Sequence, residues 1–369
     1  MDVFRIIRAT LTASLFVFCL PLGAQPRVTE DGETLFRLEG EYATQVYLDA
    51  SWMDEPVLMQ KSDGVWELRV KGLSSDLYSY SFIIDGHRTP DPSNPQQICD
   101  GLYRESWFTV DGPKASRYLE PSRRGSVDYV WYDSAVLGTT RRVAVYTPYG
   151  YSKNVKQRYP VLYLLHPEGG DEESWLSAGR LAEILDNLIA EGKAKPMIVV
   201  MPNADPTRQA AGHIGLPEVT NARTTSSMVF ASSLVHEIVP FVDSRYRTLP
   251  SKASRAIGGI GENGEAILRA AVMYTGLFDY ICPISCGLES SADLQKDLLR
   301  VKNGGVKLLW MGCGSKDEEV LPQARKVHEM MDEIHLFHTF YVNSGYSDWR
   351  SWRQYLSSFA PLIFKYYKD

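Results

Sequence analysis

From residue 35 to about 112, apolar and polar positions alternate in short runs. Phe36-Arg37-Leu38, Thr44-Gln45-Val46-Tyr47-Leu48, Val65-Trp66-Glu67-Leu68-Arg69-Val70 and Tyr78-Ser79-Tyr80-Ser81-Phe82-Ile83-Ile84 put every second side chain on one face, the period of a half-buried strand. Turn-forming clusters separate them: Lys61-Ser62-Asp63-Gly64, Asp85-Gly86 and Asp91-Pro92-Ser93-Asn94-Pro95. Many short strands at this spacing predict a β-sandwich over residues 25–112. Trp52 and Trp66 fall within it and are expected in its core, since Trp is highly buried on average. Residues 113–126, rich in Pro, Ser and Arg, read as a linker.

Beyond residue 127 the period changes. Tyr159 to His166 and Met197 to Pro202 are near-continuous apolar runs, as strands buried on both faces should be. Further strands are expected at 127–132, 141–148, 281–285, 306–312 and 335–343. Helices are expected at Ser177–Glu191, Ser232–Tyr246 and Trp349–Tyr367. Alternating β and α units imply a mostly parallel sheet covered by helices on both faces. The fold class is therefore α/β, preceded by a β-sandwich.

The stretch Arg255-Ala256-Ile257-Gly258-Gly259-Ile260-Gly261-Glu262-Asn263-Gly264-Glu265 reads as a buried strand, a very tight turn and a helix from Glu265 to Val272. That is the layout of the nucleophile elbow of α/β-hydrolases, in which G-x-S-x-G holds a serine on a strained turn. Here Gly261 stands in the serine position and Asn263 in that of the second glycine. A side chain at 263, where strand and helix usually pack closely, suggests a rebuilt turn.

Composition refines this picture at a few points. Residues 1–24 have the form of a secretory signal: Arg5 and Arg8 precede an apolar stretch, Leu11 to Leu22, too short to span a bilayer, and Leu22-Gly23-Ala24 offers a cleavage site before Gln25. Phe16-Val17-Phe18 is a poor lipobox for Cys19. An exported protein, periplasmic or secreted and without a transmembrane segment, is expected. Export permits disulfides among Cys99, Cys282, Cys286 and Cys313; buried free thiols are the other reading. No Cys/His spacing resembles a zinc site, so no metal or cofactor is expected. The net charge of −6 gives no support for a nucleic-acid partner.

The second half resembles carbohydrate esterase family 1, the feruloyl and acetyl-xylan esterases. The residues that carry the resemblance are Leu137-Gly138-Thr139-Thr140-Arg141-Arg142, Val145-Tyr146-Thr147-Pro148, Tyr159 to His166, Asn187 to Lys193, Met201-Pro202-Asn203, Arg255-Ala256-Ile257 and Trp349-Arg350-Ser351-Trp352-Arg353. The first half resembles the immunoglobulin-like module related to family 48 carbohydrate-binding modules, through Ser51-Trp52-Met53, Gly64-Val65-Trp66, Leu77 to Phe82, and Asp85-Gly86 with Asp91-Pro92. The resemblance implies an immunoglobulin-like sandwich, an α/β-hydrolase domain over 127–369, and xylan-type plant polysaccharide or oligosaccharide as partner. It also implies a catalytic set, from which this chain departs. Asp317 matches the acid. Gly261 replaces the nucleophile, and Ser347 replaces the histidine two residues before Trp349. His166-Pro167-Glu168-Gly169-Gly170 replaces the His-Gly-Gly run of the oxyanion loop, leaving His166, Glu168, Gly169 and Glu262 around the expected cleft.

Acyl transfer needs a nucleophile, a base to take its proton and a group that orients the base. Losing either the serine or the histidine of such a triad costs on the order of 10⁶ in turnover, about as much as losing the whole triad. The leading expectation is an exported, catalytically impaired esterase relative that binds carbohydrate in the old cleft, with Trp175, His213, Tyr346 and Trp349 as candidate contacts. One alternative is an active ester hydrolase with a relocated catalytic set, in which Glu262 acts as nucleophile or base. The other is a structural partner in a polysaccharide-degrading complex.

Overall fold

The computed structural model describes residues 26–365 except 30, 120, 122, 220–226 and 289–290. The expected signal segment, Cys19 and the last residues of the C-terminal helix expected to reach Tyr367 lie outside the described residues.

The N-terminal part forms two antiparallel sheets, one of four strands and one of six. In the larger, Asp76–Ile84 pairs with both Val46–Ala50 and Tyr103–Val110. Alternation puts Phe36, Leu38, Val46, Leu48, Trp66, Tyr78, Tyr80, Phe82 and Phe108 in the space between the sheets. Trp66 is buried and donates Nε1–H to the Gly40 carbonyl at 3.0 Å. Trp52 packs edge-on against Tyr78 and Phe108. Both tryptophans thus serve the sandwich interior. The strands Gln97–Asp100 and Tyr103–Val110 form a hairpin that the sequence pattern did not resolve.

The second part is built on an eight-stranded sheet. Its strands are β1 (Ser126–Ser134), β2 (Thr139–Thr147), β3 (Val161–Leu165), β4 (Ile198–Pro202), β5 (Arg255–Ile260), β6 (Tyr280–Ile284), β7 (Leu308–Gly314) and β8 (His338–Asn343). Their spatial order is β1-β2-β4-β3-β5-β6-β7-β8. β2 pairs antiparallel with both β1 and β4, and every pair from β4 onward is parallel. β3, β4 and β5 are buried along their whole length, which explains the apolar sequences of β3 and β4 and the small and apolar residues that follow Arg255 in β5. Helix α1 (Leu181–Ala190) follows β3, α2 (Glu262–Met273) follows β5, α3 (Ala292–Asn303) follows β6, α4 (Val320–Glu333) follows β7 and α5 (Trp349–Phe359) follows β8.

Three helix boundaries differ from the sequence expectation. The helix expected at 177–191 is two pieces, Ser174–Ser177 and α1, because Arg180 takes a left-handed φ of 51° between them. The one expected at 232–246 begins by Ser227 and contains a wider π turn at Leu234–Ile238. Helix α2 starts three residues earlier than expected, directly after Gly261.

The expected linker is no solvated tether. Its residues Ala115 and Tyr118 are buried, and Tyr118 joins the second domain's core beside Leu77 of the sandwich. Arg353 of α5 is fully buried across the same boundary, donating to the carbonyls of Ala178 and Leu77 at 2.8 and 2.9 Å. Nearby, the buried Asp76 carboxylate accepts from Lys114 and Arg350, each at 2.7 Å. Two cations on one desolvated carboxylate fix the sandwich against α5, the helix that follows the Ser347 loop.

Candidate active-site cleft

The carboxyl ends of parallel strands, where open α/β sheets place ligands, bring the sequence candidates together. The register sets Leu165 beside Gly259 and Ile260 beside Ile284. His166, Gly261 and the loops after β7 and β8 therefore share one edge of the sheet.

At the elbow, β5 gives way to α2 across one residue. Gly261 has φ 59° and ψ −126°, sparsely allowed backbone that costs other residues about 1–3 kcal/mol and glycine little. Its N–H donates to the Ile284 carbonyl at 2.9 Å, and its own carbonyl accepts from Gly264 N–H at 2.9 Å. A Cβ built on Gly261 meets nothing within 4 Å. The strained turn is therefore intact, with open space where a nucleophile would project. Gly259 explains how it is held: a Cβ there would stand 2.6 Å from the Asn263 carbonyl oxygen.

Asn263 does not rebuild the turn. Its side chain points across to the neighbouring loop and donates Nδ2–H to the His166 carbonyl at 2.8 Å. The close approach expected at position 263 falls one residue later, where a Cβ on Gly264 would lie 2.9 Å from Cys286 Cβ.

The acid position is also in place. Asp317 follows β7, and its Oδ1 accepts the Val320 N–H at the start of α4, at 2.9 Å. Its Oδ2 accepts a hydrogen bond from the Ser347 hydroxyl. Backbone bonds lock the two loops together, from Ser315 N–H to Asn343 O at 2.8 Å and from Lys316 N–H to Gly345 O at 3.0 Å. Asp348 caps α5 by accepting the Ser351 N–H at 2.7 Å. The carboxylate that would orient an imidazole thus orients a hydroxyl.

The other candidate side chains around the elbow are engaged, exposed or buried as follows. His166 is buried with both ring nitrogens engaged: Nε2 accepts the Ala204 N–H at 2.8 Å, so Nδ1 carries the proton and donates to the Pro167 carbonyl at 2.7 Å. That tautomer leaves no lone pair for a substrate proton. His213 sits 3.7 Å from Glu173, which also pairs with Arg142. Glu168, Gly169 and Glu262 are exposed, Glu262 as the first residue of α2. Cys99, Cys282, Cys286 and Cys313 are all free thiols, so no disulfide is formed among them. Burial pushes the Cys286 thiol up to about 12 and the Cys313 thiol to about 11. They are kept as thiols, not as the thiolates a nucleophile requires.

The aromatic candidates divide. Trp175 is 1% exposed and donates Nε1–H to the Leu165 carbonyl at 3.0 Å. It packs edge-on against Trp349 in the interior, so it forms no cleft wall. Trp349 is half-buried and donates its indole N–H to Asp100 Oδ2 at 2.7 Å. Tyr346, beside Ser347, is 41% exposed; its hydroxyl donates to Asp54 at 2.7 Å, with the Lys316 ammonium over its ring.

Asp54 and Asp100 both come from the sandwich, and sequence reasoning missed them. The hairpin carrying Asp100 lies directly on the oxyanion-type loop: a Cβ on Gly101 would stand 1.9 Å from the Gly169 carbonyl oxygen. Burial raises the Asp100 carboxyl above its ordinary 3.8, against the opposing effects of the Ser174 hydroxyl and the Trp349 indole N–H. The Asp100-Gly101 turn was the available signal, but a turn motif does not say what it turns against.

This strand order, the one-residue elbow and the acid after β7 define an α/β-hydrolase fold. The family described as putative esterase matches residues 134–361, and the chain belongs to it. An endo-1,4-beta-xylanase/feruloyl esterase of Xylanibacter ruminicola is 28% identical over 350 residues, 92% of this chain and 46% of that protein. Endo-1,4-beta-xylanase Y of Acetivibrio thermocellus is 27% identical over 185 residues, 47% of this chain and 15% of that protein. The chain thus spans less than half the length of either relative. Among solved structures, the enterobactin esterase FES of Shigella flexneri matches with a TM-score of 0.69 at 16% identity, covering 90% of this chain and 93% of that one. A family 1 ferulic acid esterase of Anaeromyces mucronatus, in complex with ferulic acid, matches with a TM-score of 0.58 at 20% identity, covering 69% and 96%. The family match bears out the esterase family, and the structural likenesses bear out the fold. Among the described residues no helix is long and apolar enough to cross a membrane.

Proposed function

We propose that this is an exported esterase-family protein of xylan utilisation that has lost efficient ester hydrolysis and binds xylan-type carbohydrate in the former active-site cleft. One observation carries the reading. Gly261 keeps the nucleophile's backbone geometry without a nucleophile, while Asp317 accepts a hydrogen bond from Ser347 where a base would stand. The engaged nitrogens of His166 support it, since they leave that imidazole unsuited to act as base. The xylan part rests on the relatives: two carry xylanase in their names, one of them with feruloyl esterase. Removal of nucleophile and base leaves, at most, the roughly 10³–10⁴ over water that an oxyanion hole and binding supply.

The test is calorimetric titration with feruloylated and unsubstituted xylo-oligosaccharides. Saturable binding that weakens in Tyr346→Ala is expected. No binding to either sugar overturns the carbohydrate reading and leaves the structural-partner role. Efficient turnover of the feruloylated sugar, abolished in Glu262→Gln, overturns the impairment and establishes a relocated catalytic set.

A further inference from the structure

At the opposite end of β8 from Ser347, three side chains converge that the sequence patterns did not connect. His328 and Asp332 are four residues apart on α4 and so share a helix face. His338 opens β8 against them. His328 Nδ1 and His338 Nε2 are 2.7 Å apart. The Asp332 carboxylate oxygens lie 3.6 Å from His328 Nε2 and 3.8 Å from His338 Nε2. One ligand atom from each residue can be chosen so that all three lie within 4.8 Å of one another.

Local contacts set the orientation of both rings. His338, with its side chain only 5% exposed, places Nδ1 2.7 Å from the Leu336 carbonyl. A carbonyl only accepts, so Nδ1 carries a proton and Nε2 is the nitrogen turned toward His328. A backbone carbonyl holding the second nitrogen is the support that metal-ligating histidines almost always have. The His328 ring lies against Phe340 of β8, with centroids 4.8 Å apart, and its side chain is 35% exposed. An ion could therefore reach the cluster from solvent.

We propose that His328, Asp332 and His338 form a binding site for a divalent transition-metal ion of the zinc type. Two imidazoles and a carboxylate, with water completing the shell, are a donor set suited to zinc and its neighbours rather than to magnesium or calcium. Ligand nitrogens on a tetrahedral ion with bonds of about 2.0–2.1 Å stand roughly 3.3 Å apart, so the two rings must separate by about 0.6 Å. The half-exposed His328 can make that movement. An ion there would join α4 to the edge strand β8. The loops at the other ends of these two elements carry Asp317 and Ser347, so the ion would brace the pair that holds the acid position.

The experiment uses tag-free protein stripped with a chelator and titrated with Zn²⁺ by calorimetry. Co²⁺ absorption in the visible reports the coordination. One ion per chain is expected, with a rise in Tm on zinc addition. His328→Gln and Asp332→Asn should both abolish the Tm rise. His328→Gln should weaken affinity by more than the roughly 10–100-fold that loss of an outer-shell partner costs. Glu329→Gln, on the same helix and exposed, should bind as the natural protein does. Absence of stoichiometric binding overturns the proposal and leaves a His–His hydrogen bond. Equal binding in His328→Gln and the natural protein also overturns it, because the ion then sits elsewhere.

Discussion

The elbow and the acid–loop pair lie on one edge of the same sheet, yet they carry the family's pattern in opposite ways. At the elbow the tight backbone turn is formed and position 261 carries no side chain: Gly261 holds φ 59° and ψ −126° with open space above it. After β7 the side chain is present with a hydroxyl as its partner: Asp317, at the position the resemblance gives the acid, accepts from the Ser347 hydroxyl. The difference teaches what each feature depends on. The elbow is held by packing, through Gly259 under the turn and the Ile284 carbonyl beside it, and needs no side chain at position 261. Asp317 is held instead by hydrogen bonds, from the Val320 N–H and the Ser347 hydroxyl.

Substitutions can break the comparison on either side. The largest stability effect should come from Gly259→Ala, whose Cβ would meet backbone at 2.6 and 2.9 Å. Backbone atoms cannot swing aside, so a loss of about 1–3 kcal/mol is expected from overpacking, read as a lower denaturant midpoint. Gly261→Ala meets no atom but must adopt a positive φ. Its loss should fall in the lower part of the roughly 1–3 kcal/mol range for such strain. If Gly261→Ala proves as stable as the natural protein, the elbow is not strained and the packing account of its survival is wrong.

On the other side, Ser347→Ala removes the donor to Asp317. Hydrogen bonds to charged groups contribute about 1.5–3 kcal/mol, and partial exposure of this pair puts the expected loss below that range. Equilibrium unfolding would measure it, and a neutral result would show that Ser347 merely occupies the histidine's place.

A smaller, pH-dependent effect concerns the sandwich's hold on the cleft. Burial raises the Asp100 carboxyl above 3.8, so between the two values the folded state binds more protons than the unfolded one. The stabilising effect of that proton is fully present below the ordinary value and is lost as pH rises through the raised one. Asp100→Asn can still accept from Trp349 and should flatten this dependence, gaining stability relative to the natural protein at pH 7 but not at pH 3. Parallel Tm–pH curves for the two proteins would contradict the assignment.

Legibility in the sequence followed the same division. The buried strands β3 and β4 were readable because burial on both faces leaves a near-continuous apolar run, and the elbow after β5 because its glycines crowd one turn. Asp317 and Ser347 were singled out by the family resemblance, as the positions where it implies an acid and a histidine. What depended on contacts between distant residues was not readable. Asp100 and Trp349 are 249 residues apart, and nothing local to either announces the other. Trp175 resembled a cleft wall because a buried and an exposed indole look alike in sequence; only the bond to Leu165 O separates them. Asn263 looked disruptive because the carbonyl its amide reaches lies on another strand's loop. His338 fell within the expected strand at 335–343, and its meeting with His328 depends on how α4 turns back into β8.

The central claim is that the cleft is intact and only its chemical groups are missing. Hydrolysis of methyl ferulate and 4-nitrophenyl acetate by the natural protein, beside a Gly261→Ser/Ser347→His double variant, tests it most directly. The account predicts near-background turnover by the natural protein and a gain of at least about 10²-fold in the double variant, a fraction of the roughly 10⁶ that a complete triad supplies. Efficient turnover by the natural protein, or a folded double variant that gains nothing, would contradict it.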